Sequence, residues 1–178
     1  MISCFGAADG SITIAAENFD PILGFQYSID NGATWVTQMS SPYTITGLAD
    51  ATYDIEIRYD NTPNTCTFSF TETIDAPNVL TLSTSSTEIT CLNGATITAS
   101  ATGGTPGYTY QLIDTIAPFN TTDFEANGIL TNVPEGNYNV EVTDALGCTE
   151  SIEIILVAPA IPTATINVSS DLCYDSVN

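Results

Sequence analysis

The chain has 178 residues, 43% of them apolar, which is enough for packed cores and too many for a disordered tail. It carries 21 acidic residues against a single arginine, Arg58, with no lysine or histidine, for a net charge of −20. That balance excludes binding of nucleic acid or anionic lipid through basic side chains. It leaves no His or Lys as a general base, and it confines any metal site to oxygen ligands, which means calcium.

In chain order, one pattern is written twice. The first pass begins with the strand-like run Gly10-Ser11-Ile12-Thr13-Ile14-Ala15-Ala16 and continues through Phe25-Gln26-Tyr27. Next comes Ser28-Ile29-Asp30-Asn31-Gly32-Ala33-Thr34-Trp35, which fits the S-x-D-x-G-x-T-W pattern of a structural hairpin. There Asn31-Gly32 supplies the positive φ of the turn, Asp30 caps it and Trp35 closes it. Thr46 to Ile57, Cys66-Thr67 and Ala76-Pro77 complete the pass. The second pass opens with Leu80 to Thr84 and repeats the blocks as Gly94 to Ala99, Tyr108-Thr109-Tyr110, Thr131 to Val142, Cys148-Thr149 and Ala158-Pro159, at offsets of 82 to 85. Thr163 to Asn178 starts the pattern a third time, with Cys173 standing 82 residues after Cys91.

A period this long is one small domain per repeat, not a solenoid turn. The expected units are repeat 1 over residues 1–77, without its first strand, repeat 2 over 78–160, and the beginning of repeat 3 over 161–178. In repeat 2 the short runs rich in Thr, Ile, Val and Tyr predict strands near 80–84, 95–101, 108–113, 128–132, 137–143 and 149–157. Tyr138, Val140 and Val142 alternate with Asn139, Glu141 and Thr143, giving one buried and one wet face. No stretch has helical period. The fold class is therefore all-β: tandem immunoglobulin-like, fibronectin-III-like Greek-key sandwiches. Tyr53 follows Leu48, and Tyr138 follows Val133-Pro134, at the spacing of a tyrosine corner.

The odd cysteine count and the repeat pairing predict one disulfide per repeat, Cys4–Cys66 and Cys91–Cys148, each joining the entry of the second strand to the start of the last at one end of the sandwich. Cys173 is left unpaired. No CxxC pair argues for a metal cluster. Disulfides place the chain outside the cell. Nothing resembling a signal peptide stands at Met1-Ile2-Ser3-Cys4, so a targeting segment is expected to lie outside this sequence. No run of about 18 apolar residues predicts direct membrane insertion.

Repeat 2 also carries Ala101-Thr102-Gly103-Gly104-Thr105-Pro106-Gly107-Tyr108-Thr109-Tyr110, and then Val133-Pro134-Glu135-Gly136-Asn137-Tyr138-Asn139-Val140-Glu141-Val142-Thr143-Asp144-Ala145-Leu146-Gly147-Cys148-Thr149. This string resembles the SprB-type repeat. The resemblance implies a very long surface adhesin of gliding Bacteroidota, exported by type IX secretion and moved along the cell surface. Repeat 1 departs from the pattern: Asn18-Phe19 replaces the Gly-Gly pair, and Arg58 to Cys66 lacks the Val-Thr-Asp-x-x-Gly-Cys turn.

Three functions are weighed. The first is a secreted, extracellular adhesive or spacer stalk whose partners are neighbouring repeats and a surface polysaccharide or substratum. The second is a carbohydrate-binding module using Trp35, Tyr43, Tyr59 and Phe119 as a stacking platform. The third, a glycosidase working through two carboxylates, needs a cleft that sandwiches of about 80 residues seldom enclose, so the chain is read as no enzyme. No cofactor is expected apart from calcium, for which Asp30, Asp60, Asn61 and Asp144 are candidate oxygens short of the six ligands required. Thr115 and Ser176 match the Asp-Ser/Thr-aliphatic pattern of O-glycan acceptors, and Asn120-Thr121-Thr122 is a sequon. Finally, repeat 1 is expected to expose a strand edge, and Thr163 to Val168 to be either a frayed terminus, the reading preferred, or a spare strand that could fill such a vacancy in a second copy.

Overall fold

The computed structural model describes residues 2–59 and 67–166. Within them the chain forms thirteen strands and no helix. The first six are β1 (Gly10–Ile14), β2 (Phe25–Ser28), β3 (Val36–Gln38), β4 (Tyr43–Leu48), β5 (Ala51–Arg58) and β6 (Phe68–Ile74). Then follow β7 (Thr81–Ser86), β8 (Ala95–Thr102), β9 (Thr109–Asp114), β10 (Thr121–Asp123), β11 (Ile129–Val133), β12 (Gly136–Thr143) and β13 (Thr149–Leu156).

In the second half, β11-β8-β7 make one antiparallel sheet and β10-β9-β12-β13 the other. This three-on-four arrangement is the Greek-key sandwich of fibronectin-like domains. The alternation along β12 drives it: Tyr138, Val140 and Val142 are buried while Asn139, Glu141 and Thr143 lie on the wetter face. Ala95, Ile97 and Ala99 of β8 oppose them, and with Leu112, Val133 and Leu156 they form a single core. The first half repeats the plan. Its four-stranded sheet is β3-β2-β5-β6, and its second sheet is the pair β1-β4. Ile12, Ile14, Phe25, Tyr27, Ile45, Ile55 and Ile74 fill a separate core, completed by Ile2.

The two halves differ at one edge. β7 pairs with β8 along six residues, and β1 has no such neighbour among the described residues. Open grooves of about 640 and 360 Å³ run there, lined by Thr13, Ile14, Phe68 and Phe70 and by Ser11, Ile12, Glu72 and Ile74. Residues 163–166 are exposed and carry no strand, as a frayed terminus would. With no sheet edge beside it, the segment leaves its backbone groups to water. Residues 167 and 168 lie outside the described part of the chain.

One short strand, β10, escaped the pattern reading, while β3 is the return arm of the hairpin expected at Ser28 to Trp35. Its three residues are too few to show a period, and it exists because the chain folds it back on β9. In both halves a tyrosine hydroxyl reaches back to the corner before it. Tyr53 donates to the carbonyl of Ala49 at 3.1 Å and Tyr138 to that of Pro134 at 3.2 Å.

Candidate functional site: the junction between the repeats

The disulfide expectation is corrected by the structure. Cys4 is bonded to Cys148, across 144 residues and between the two sandwiches, with a Cα–Cα distance of 5.7 Å. Cys91 is exposed and has no disulfide partner among the described residues. Cys66 lies outside the described residues, as does Cys173.

Strand direction explains why a bond within one repeat fails. Cys91 precedes β8, whose first residue Ala95 lies opposite Val133, just before β12 begins. Cys148 precedes β13, whose first residue Thr149 lies opposite Thr143, where β12 ends. Cys91 and Cys148 thus sit at opposite ends of the sandwich, separated by the eight residues of β12, about 26 Å at 3.3 Å per residue. A disulfide needs Cα atoms within about 7 Å. The expectation that both cysteines share one end was wrong.

Head-to-tail stacking brings the right ends together. The last strand of repeat 1, β6, leaves at the end where Cys4 stands, as the bond from the Ile2 amide to the Asp75 carbonyl shows. The linker Ala76-Pro77-Asn78 then delivers the chain to the opposite end of repeat 2, the end that holds Cys148. There the Gly104 amide donates to the Asn78 carbonyl at 2.8 Å.

Both distinctive sequence blocks of repeat 2 meet at this junction. Gly103 (φ 77°) and Gly104 (φ 54°) occupy the left-handed region. A Cβ on Gly103 would run into the Val79 carbonyl, and one on Gly104 would stand 2.6 Å from Asp144 Oδ2. Asp144 is buried, and its carboxylate organises the turn that presents Cys148. Oδ1 accepts from the amides of Leu146 and Cys148 at 2.9 Å each, and Oδ2 accepts from the Thr105 amide at 2.8 Å. These amides, that of Thr105 foremost, hold its carboxyl below the usual range although burial opposes the shift. The Gly-Gly loop and the Asp-x-x-Gly-Cys turn are thus two halves of one clasp, tied by the Thr105–Asp144 bond. Sequence reading named Asp144 only as a calcium candidate and missed this role. The signal available was that the Gly-Gly and Asp-x-x-Gly-Cys blocks are present together in repeat 2 and absent together from repeat 1.

Asp30 caps its hairpin: Oδ1 accepts from the Ser28 hydroxyl at 2.6 Å and the Thr34 amide at 2.8 Å, and Oδ2 from the Thr34 hydroxyl at 2.6 Å. The Ser28 hydroxyl, followed by Thr34, lowers its pKa to about 2. The Trp35 indole donates to the Gly32 carbonyl at 2.9 Å, and the Arg58 guanidinium covers its ring at 3.7 Å. Asp30 and Asp144 lie in different sandwiches, and Asp60 and Asn61 lie outside the described residues. Among the described residues, no three His, Cys, Asp or Glu side chains group as metal ligands. The Thr115 hydroxyl, half-buried, donates to the Asn137 carbonyl at 2.9 Å, and the Asn120 amide donates to Asp114 at 3.1 Å; Ser176 is outside the described residues.

The aromatic platform is not assembled. Trp35 lies under Arg58. Tyr43 packs on Tyr27 at the core. Exposed Phe119 belongs to the other sandwich, and only Tyr59, half exposed, remains near Arg58.

Comparison with known proteins gives a family for part of the chain: residues 83–115 match the SprB repeat. Among solved structures, the chain is similar to the fibronectin(III)-like modules of Clostridium thermocellum CbhA. The TM-score is 0.35 and the identity 17%, over 91% of this chain and 92% of that one. No curated protein matches the chain.

Proposed function

We propose that this chain is a tension-resistant stalk segment of a secreted cell-surface adhesin, in which stacked repeats act as rigid spacers for attachment or gliding. One observation carries the reading: the Cys4–Cys148 bond staples two consecutive sandwiches head to tail. A pull applied at the two ends passes through the sulfur atoms, so the 144-residue loop between them is not drawn out and the load falls on β13 and the chain beyond it. Such a shortcut suits a filament under shear, because it keeps the loop between the two cysteines from being drawn out. The SprB repeat, a non-catalytic type found in surface proteins, and a disulfide suited to an oxidising compartment support the same reading. The acidic surface keeps neighbouring filaments apart by charge repulsion. No observation favours carbohydrate recognition, because the aromatic rings that would stack on a sugar are not gathered.

The test is made on intact cells of the bacterium that produces the chain. Antibody raised against it labels the unpermeabilised surface and lowers attachment to glass under flow. Labelling that appears only after permeabilisation overturns the proposal.

A further inference from the structure

The Cys4–Cys148 bond defines a rule of connection: the cysteine before the second strand of one repeat is joined to the cysteine before the last strand of the next. Repeat 2 has its own copy of the first partner. Ile89-Thr90-Cys91-Leu92 stands where repeat 1 has Ile2-Ser3-Cys4-Phe5, at a constant offset of 87. The match is structural as well. Ile2 is buried in the first core and Ile89 packs against the second. Cys4 precedes β1 and Cys91 precedes β8, strands with the same place in their sandwiches.

We propose that Cys91 is the covalent docking point for a further SprB-type repeat presenting an Asp-x-x-Gly-Cys turn, so that each repeat of such an array is stapled to the next. Three observations beyond the cysteine itself carry this. Its counterpart is seen bonded, in the same chain, to a turn of that chemistry. Its in-repeat alternative, Cys148, is at the far end of the sandwich and already engaged. The end of repeat 2 around Cys91 is also apolar and uncovered by the described residues: Leu92 is 91% exposed, and Val157 and Ile161 are 75% and 86% exposed. Val157 and Ile161 flank Ala158-Pro159, the copy of the Ala76-Pro77 linker on which repeat 2 is seated. The surface thus continues the plan of the junction already formed.

The step is an oxidation and needs an acceptor. Cys91 and the incoming cysteine each give up a proton, a sulfur–sulfur bond forms, and the two electrons reduce a disulfide to two thiols. That disulfide belongs to a thiol–disulfide oxidoreductase in the cell, or to oxidised glutathione in the test.

The inference rests on the reading of the chain as stacked repeats, but its test is chemical and independent of cell location. Residues 78–160 are duplicated in place within the whole chain, directly after residue 160. The added copy carries Cys91→Ser, and Leu146→Val as a mass marker. The protein is refolded in a glutathione redox buffer, alkylated, cleaved after glutamate and mapped without reduction. The expected result is a cross-linked peptide joining the original Cys91 to the marked Cys148, with loss of Cys91 alkylation and with Cys4 still bonded to the unmarked Cys148. Adding Cys91→Ser in the original repeat exposes the marked Cys148 to alkylation and leaves the Cys4 bond in place. Full alkylation of Cys91 in a chain that keeps the Cys4–Cys148 bond, or a Cys91–Cys66 link, overturns the proposal. Loss of surface labelling on cells would sink the adhesin reading and leave this result untouched.

Discussion

Mechanical extension provides the sharpest check on the stapled junction. The bridge closes a loop of 144 residues whose ends are 5.7 Å apart in the folded state. At about 3.5 Å per residue, full extension of that loop adds about 500 Å. With the bond intact, none of this length is accessible to a pull on the chain ends. Only the 30 residues after Cys148 can be drawn out, about 100 Å in all, by peeling β13 from β12. Single-molecule force spectroscopy on the whole chain, held at both ends, should therefore give at most about 100 Å of contour gain when oxidised. With reductant, or in Cys4→Ser, the gain should rise about sixfold, to about 600 Å, in two steps, one per core. A 500 Å gain from the oxidised chain would show that the force path does not cross the sulfurs, and the stalk reading would fall with it.

Four further outcomes are expected. Tyr138→Phe removes the hydroxyl bond to Pro134, a loss of about 1 kcal/mol. Calorimetry should show the melting of repeat 2 lowered by roughly 4–8 °C, and an unchanged transition would mean that the corner bond adds no stability. Gly104→Ala sets a Cβ against Asp144 Oδ2 at a left-handed position, so the clasp should loosen and Cys148 should become reducible at lower reductant concentration; equal reducibility refutes the packing argument. Asp30 has a folded pKa depressed to about 2, below its unfolded value of about 3.9. Its contribution is thus fully present above about pH 4 and lost as pH falls through 2. Its carboxyl carbon, followed by NMR, should titrate near 2, and a midpoint near 3.9 would show that the Ser28 and Thr34 bonds do not persist in solution. Because the Asp30 and Asp144 oxygens already accept bonds from hydroxyls and amides, melting temperature should not change with chelator, and a fall on adding EDTA would restore the calcium reading.

Most of the architecture is written in local pattern. The alternation of Tyr138, Val140 and Val142, the repeated blocks at offsets of 82 to 85, and the Tyr that follows each corner are short-range features. Local sterics and one-sided burial are enough to specify strands, faces and turns from them. The Gly-Gly and Asp-x-x-Gly-Cys blocks were equally visible, but their purpose was not. They stand about 40 residues apart, and only the fold lays Thr105 against Asp144. The cysteines show the limit most plainly. Sequence equivalence tells which cysteine corresponds to which in each repeat, yet it carries no information on the end of the sandwich each one reaches. That depends on how many times the chain has reversed direction between them, and on how one sandwich is set upon the next. Disulfide formation requires approach within a few ångströms, so the pairing of Cys4 with Cys148 was decided by strand direction and stacking alone.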